Sequence, residues 1–223
     1  MIDTTHHAAR AVTIPVGDEG FSLEGLLEGP ADGAPVVVCH PHPAFGGTLD
    51  TPIVAALAAA LAEAGSATLR FNFRGIGRSG GQATGGRVEE RDVMAACAWL
   101  RARAGDASHR EIALVGYSFG ALMSAKALGV GEHARAFVAL GLPTVLLDSD
   151  EEREQRIARG LAACPALALS GTRDQFSELP RLRAWAAAIP SLELEVLDGI
   201  DHFPAGDTLA AVCARIVRFV ADQ

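Results

Sequence analysis

Between residues 35 and 198 the chain repeats one rhythm: a short, continuous apolar run, then a segment with helical periodicity. The runs are PVVVCH (35–40), SATLRFNF (66–73), IALVGY (112–117), RAFVALG (135–141), PALALSG (165–171) and LELEVLD (192–198). A strand that is apolar along its whole length belongs inside a sheet covered on both faces. Strands separated by helices reach one another through crossovers, which suits parallel pairing. The rhythm therefore predicts an α/β fold with a mostly parallel central sheet and helices on both faces. Two further runs, RAVTIPV (10–16) and FSLEGLLEG (21–29), flank Gly17-Asp18-Glu19-Gly20 and read as a hairpin, which brings the sheet to about eight strands with an antiparallel edge.

Helices are expected over 51–65, where Pro52 suits the first turn and Gly65 the end, and over 88–105, 119–129, 180–189 and roughly 207–221. In the last of these Leu209, Val212, Ile216 and Val220 fall on one face. The charged segment DSDEEREQRIARG (148–160) reads as an exposed helix. With its flanks it amounts to about one helix's worth of chain between two strands, too little for a cap domain. No repeat or low-complexity linker breaks the 223 residues, so one domain over 1–223 is expected, with a flexible terminus over 1–9.

Charge narrows the partners. With 27 acidic against 19 basic residues the formal net charge is -8, and no basic stripe offsets it. Nucleic acid and anionic membrane surfaces are poor partners for such a chain. No apolar stretch is long enough to span a bilayer, and the start, MIDTTHHAAR, lacks the basic and apolar regions of a secretory leader. Cys39, Cys97, Cys164 and Cys213 sit in apolar segments without a CxxC pair, which predicts buried, reduced thiols and a cytoplasmic protein.

Within this frame GYSFG (116–120) matches G-x-S-x-G between a predicted strand and a predicted helix. A turn that sharp strains the serine backbone and leaves no room for a Cβ at Gly116 or Gly120. Ser118 then stands at the carboxyl edge of the sheet, where ligands bind in such folds. The competing reading is a serine that merely caps the helix. A hydroxyl nucleophile needs a base, and the seven histidines narrow quickly. His6 and His7 lie near the terminus, and His109 and His133 lie in polar connections. His202, in DGIDHFPAG, follows the last strand at the same sheet edge as Ser118. An acid must orient that base, and Asp174 in SGTRDQF emerges on the same rim, in the chain order Ser…Asp…His. Asp201, Asp148 and Asp150 compete; the first adjoins His202 in sequence and the other two sit in a charged cluster, so Asp174 is favoured.

Acyl transfer also needs N–H donors for the oxyanion. Phe119 supplies one at the helix start. The loop HPHPAFGG (40–47) supplies the other, and since Pro41 and Pro43 have no N–H, the choice lies between His42 and Ala44, with His42 directly after the turn. His40-x-His42 is also a conceivable metal pair, but no third ligand or HExxH accompanies it. Gly75-Ile76-Gly77-Arg78-Ser79-Gly80 is formally a dinucleotide fingerprint. It lacks a helix opening directly after it, so the glycines read as a turn and Arg74 as a tie between loops beneath the site.

Taken together, HPHPAFGGT (40–48), FNFRGIGRS (71–79), GYSFG (116–120) and DHF (201–203) resemble the serine α/β-hydrolase superfamily, and within it the small, lidless bacterial α/β hydrolases. The resemblance spans about residues 10–221. It implies the α/β-hydrolase fold without a cap domain, with Ser118 as nucleophile, Asp174 as acid and His202 as base, and with Phe119 and His42 at the oxyanion. The acid loop reads TRDQF where relatives tend to carry a second aspartate. The expected activity is that of a serine esterase or thioesterase acting on a small acyl ester without cofactor. A peptidase or amidase, or a non-catalytic ligand-binding homologue, is the alternative, and physiological substrate and oligomeric state are left open.

Overall fold

Eight strands form one sheet in the order β1-β2-β4-β3-β5-β6-β7-β8. The structure is a computed structural model that describes residues 9–103, 111–146 and 151–223. The strands are β1 (Arg10–Pro15), β2 (Ser22–Glu28), β3 (Ala34–Cys39), β4 (Ser66–Phe71), β5 (Ala113–Tyr117), β6 (Ala136–Leu140), β7 (Ala166–Gly171) and β8 (Leu192–Leu197). From β4 to β8 all pairings are parallel, and β1 and β2 add the antiparallel edge. The expected hairpin around Gly17–Gly20 joins those two. His6, His7, His109, Asp148 and Asp150 lie outside the described residues.

Apolar residues alternate between two cores, as a pleated strand requires. Val36 and Val38 of β3 face α1 (Pro52–Glu63) and α6 (Gly206–Ala221), together with Val115, Ile216 and Val220. Val37 and Cys39 face the opposite side, where α2 (Glu90–Arg101), α3 (Phe119–Gly129), α4 (Glu151–Ala162) and α5 (Leu179–Ala188) pack. Both faces are thus covered, which accounts for strands without a polar register. All four cysteines are free and buried.

Two expectations need correction. The segment at 148–160 is not simply exposed. Its described part, α4, buries Ile157 and Leu161 against α3, and its Glu154 accepts from Arg181 and Trp185 of α5. The contact is close because a Cβ on Gly160 would stand 2.5 Å from the Leu128 carbonyl carbon. The strand expected over 66–73 stops at Phe71. The Asn72 N–H still donates to Glu24 O of β2 at 2.8 Å, while its side chain ties the loop after β3 to β2, accepting from Leu49 N–H at 2.8 Å and donating to the Glu24 carboxylate at 2.9 Å.

The order of the strands sets the site. β3 leads to β4 on one side, while β5 lies on the other, so the connections diverge between β3 and β5 and open a crevice at their carboxyl ends. Beneath the crevice the glycine-rich turn after β4 is fastened by Arg74. Its Nε and Nη2 reach the Asp92 carboxylate of α2 at 3.0 and 2.7 Å, its backbone N–H reaches the same carboxylate at 2.9 Å, and Nη1 reaches Glu19 at 3.0 Å. In the turn itself, a Cβ on Gly77 would come within 2.5 Å of both Asn72 and Glu24. The G-x-G-x-x-G stretch is therefore a packed turn, and α2 starts only at Glu90.

Removing one member of a buried ion pair strands the other. Asp92→Ala is expected to lower unfolding stability by about 3–5 kcal/mol, measured by denaturant titration. A loss below about 1 kcal/mol would show that Arg74 is not held this way.

Candidate active site

Helix α3 begins abruptly because the chain turns at Ser118 with φ 55° and ψ -118°. This is the one positive φ outside glycine among the described residues. Such a conformation costs on the order of 1–3 kcal/mol and persists only where neighbours enforce it. Here they do. Ser118 N–H donates to Leu140 O at 2.8 Å, tying the turn to β6. A Cβ on Gly116 would stand 2.4 Å from Ala121 N, and one on Gly120 would stand 2.3 Å from Cys39 O. Only glycine at both positions lets α3 start this close to β5 and β3.

The Ser118 side chain makes no capping bond with α3. Its Oγ instead lies 2.8 Å from His202 Nε2. His202 Nδ1 lies 2.8 Å from Asp174 Oδ2. A carboxylate only accepts, so Nδ1 carries the proton and Nε2 accepts from the Ser118 hydroxyl. The structure thus brings Ser118, His202 and Asp174 into one chain of hydrogen bonds with the His–Asp segment buried. Asp174 is held in turn by Phe176 N–H on Oδ1 at 2.9 Å. The Ser177 hydroxyl sits 3.2 Å from Oδ2 and 2.6 Å from Leu142 O. Asp201 points elsewhere, accepting from Phe203 N–H at 2.8 Å, and His133 is exposed and remote from this chain.

The imidazole is packed as well as bonded. Phe176 and Phe203 meet it edge-on at 4.7 and 5.2 Å between ring centroids. Tyr117 donates its hydroxyl to His202 O at 2.9 Å. Burial, then the charges of Asp174 and Asp201, push the Tyr117 phenol up, so it remains a neutral donor. Gly141, just past β6, has φ 60°, and a Cβ there would lie 3.0 Å from His202 Cε1 and 3.3 Å from Asp174 Oδ2. The residues were visible in the sequence as the end of RAFVALG and as the variable position of GYSFG, but nothing local marks them as supports for a histidine five dozen or more residues away.

The two candidate N–H groups in the loop after β3 differ in their partners. Ala44 N–H is already given to His42 Nδ1 at 3.1 Å. The backbone N–H of His42 has no acceptor among the described residues. Phe119 N–H opens α3 ahead of any intrahelical acceptor, so it is likewise available. The two residues abut, their rings 4.7 Å apart. His40 has a different task. Its Nε2 accepts from Phe73 N–H at 3.1 Å, so Nδ1 donates to Pro41 O at 2.7 Å. With both nitrogens spent, His40 has no lone pair to share with His42 on a metal, and no metal-binding cluster occurs among the described residues.

Above Ser118 lies a cavity of about 520 Å³ whose walls include Ile53, Tyr117, Pro143, Val145, Phe176 and Phe203, with no carboxylate, ammonium or guanidinium group among its described lining residues. Among the described residues, four of the five most exposed large apolar side chains, Phe45, Val145, Leu146 and Phe203, stand around it. The arrangement presents a hydroxyl bonded to an oriented imidazole, with apolar walls around both.

A family model described as an alpha/beta hydrolase domain matches residues 34–209. An uncharacterised protein of Rickettsia prowazekii (strain Madrid E) is 27% identical over 194 residues, which is 81% of this chain and 78% of the relative. The solved structure of an α/β serine hydrolase homologue from Coxiella burnetii is 30% identical, with a TM-score of 0.76 over 94% of this chain and 95% of that one. An α/β serine hydrolase without a lid from Xanthomonas campestris is 25% identical, with a TM-score of 0.76 over 96% and 94% of the two chains.

Two tests address the supports of the site. Gly199→Ala, at φ 72° with nothing near the added carbon, is expected to cost about 1 kcal/mol of stability, and Gly141→Ala more than that, because its methyl also presses on His202. Equal losses in denaturant titrations would argue against the contact. Burial pushes His40 down to about 4, with the Pro41 carbonyl only partly opposing it. The folded state therefore binds the His40 proton less readily than the unfolded chain, so the stability it lends is whole above the unfolded value near 6.5 and is lost as pH falls towards 4. Between those limits wild-type protein is expected to lose on the order of 3 kcal/mol more than His40→Gln, by unfolding titrations at each pH. Parallel pH curves would refute it.

Proposed function

The chain belongs to the α/β hydrolase domain family, and from that premise we propose that it is a serine hydrolase cleaving a small carboxylic ester or thioester with an apolar acyl group. The observation that carries the reading is the Ser118 hydroxyl, which is bonded to His202 instead of capping its own helix.

In this reading Ser118 Oγ attacks the acyl carbon while its proton passes to His202 Nε2. Asp174 accepts the Nδ1–H bond throughout and stabilises the imidazolium without taking a proton. The carbonyl oxygen, now an oxyanion, rests on the N–H groups of Phe119 and His42. One such donor is typically worth ~3–4 kcal/mol of barrier. The tetrahedral intermediate collapses as Nε2–H protonates the leaving oxygen or sulfur, which leaves the acyl group on Ser118. Water then gives its proton to Nε2, attacks the same carbon, and frees the acid and the serine. Every proton is returned, so the cycle needs no cofactor. The apolar walls favour an uncharged acyl chain over an ionised one at the reacting carbon.

The buried free cysteines and the net charge of -8 fit a cytoplasmic setting and a small-molecule substrate. Among the described residues no helix is long and apolar enough to cross a membrane.

A fluorophosphonate probe is expected to label Ser118 stoichiometrically, and Ser118→Ala is expected to lower kcat on p-nitrophenyl esters by on the order of a millionfold. A panel of such esters of increasing chain length beside aminoacyl anilides separates esterase from peptidase. Unlabelled Ser118 and undiminished turnover in the variant would refute the mechanism, and labelling without turnover of any ester would favour a binding role.

A further inference from the structure

The cavity over Ser118 is apolar but not without hydrogen-bonding groups. Five of its lining side chains carry an N–H or O–H: His42, Thr51, Tyr117, Ser118 and His202. Three of these protons are committed within the protein. Tyr117 donates to His202 O at 2.9 Å, the Ser118 hydroxyl to His202 Nε2 at 2.8 Å, and His202 Nδ1 to Asp174 at 2.8 Å. The other two are not.

His42 accepts from Ala44 N–H at Nδ1, at 3.1 Å, so its ring proton sits on Nε2. Burial pulls the ring below its ordinary value, with the charge of Glu89 opposing, which keeps it neutral near pH 7. No described residue accepts from that Nε2–H. Thr51 stands at the start of α1 and, like Ser118, makes no side-chain bond to its own helix. Its Oγ1 accepts from Thr48 N–H at 3.0 Å, and no described residue takes its hydroxyl proton. Both donors belong to the connection between β3 and α1. An all-hydrocarbon occupant would strip their water and put nothing in its place. A carboxylate is a poor alternative, since the described lining offers no ammonium or guanidinium to meet its charge. An ether or carbonyl oxygen accepts without charge and brings no proton of its own to be satisfied.

We propose that His42 and Thr51 form a specificity subsite for an uncharged acceptor oxygen on the acyl half of the substrate. The inference rests on the serine-hydrolase reading above. In that reading His202 protonates the leaving atom. Strand order puts His202, after β8, and the β3 connection on opposite sides of Ser118. The leaving group then lies towards His202 and the acyl group towards His42 and Thr51. Bond lengths keep His42 Nε2 within roughly 6 Å of the backbone N–H of the same residue, the proposed oxyanion donor. The acceptor oxygen is therefore within a few bonds of the reacting carbon. The substrate is an alkoxy- or oxo-acyl ester or thioester, not a plain fatty one.

Two matched pairs of substrates test this. p-Nitrophenyl methoxyacetate against p-nitrophenyl butanoate, and p-nitrophenyl 3-methoxypropanoate against p-nitrophenyl pentanoate, each exchange one methylene for an oxygen at nearly constant shape. Each kcat/KM is divided by the hydroxide-catalysed rate of the same ester, which removes the intrinsic activation by the oxygen. In at least one pair the oxygenated member is expected to lead by about tenfold. His42→Asn keeps an acceptor for Ala44 N–H but ends short of the Nε2 position, and Thr51→Val keeps the shape without the hydroxyl. Each is expected to bring that ratio towards unity. Thr51 is outside the proposed oxyanion contacts, so its variant keeps the test alive should His42→Asn abolish turnover. A wild-type ratio of one or below in both pairs, or a ratio that survives both substitutions, overturns the subsite while leaving the serine chemistry standing. A protein that turns over none of the four esters overturns the subsite, and if Ser118 also stays unlabelled by the fluorophosphonate, the hydrolase reading falls with it.

Discussion

The turn at Ser118 is the constraint from which the rest of the site follows. A serine at φ 55° is held against its own preference by two glycines and by one hydrogen bond to the neighbouring strand. In the extended geometry usual for an N-cap, the residue would instead accept with its hydroxyl oxygen from an N–H in the first turn of α3. Strained, it sends the hydroxyl outward and leaves the Phe119 N–H bare. One backbone conformation thus sets both the reactive oxygen and one of its proposed stabilisers.

Around that turn, four other strand ends contribute one part each. The loop after β3 brings His42, β6 ends in the glycine that makes room for the imidazole, β7 leads to Asp174, and β8 leads to His202. Parallel strands place all these ends on one edge, which is why residues far apart in the chain can meet there. Aromatic packing by Phe176 and Phe203 keeps the histidine dry, and a dry hydrogen bond between imidazole and carboxylate is stronger than a wet one. The same architecture, without a lid, is found in the serine hydrolase from Xanthomonas campestris.

Much of this was legible in the sequence because it depends on local rules. Continuous apolar runs marked the buried strands, and GYSFG between a strand and a helix marked the sharp turn. The edge shared by Ser118, Asp174 and His202 followed from the strand ends alone. Proline removed donors from the loop at 40–47, which narrowed the choice there but did not finish it. What bears on the rest is a tertiary detail, the Ala44 N–H already taken by the His42 ring. The supports were not legible. Gly141 looks like any strand-ending glycine until the imidazole is seen against it. Close helix packing at Gly160 also explains why a charged segment proved half buried.

One feature of the cavity mouth has a thermodynamic consequence. Phe45 is 79% exposed and Phe203 57% exposed, so both phenyl faces are hydrated. A hydrocarbon chain seated against them releases that hydration. The signature is a heat capacity that drops on complexation, by more as the chain lengthens, until it extends past the last aromatic face and further methylenes stay wet.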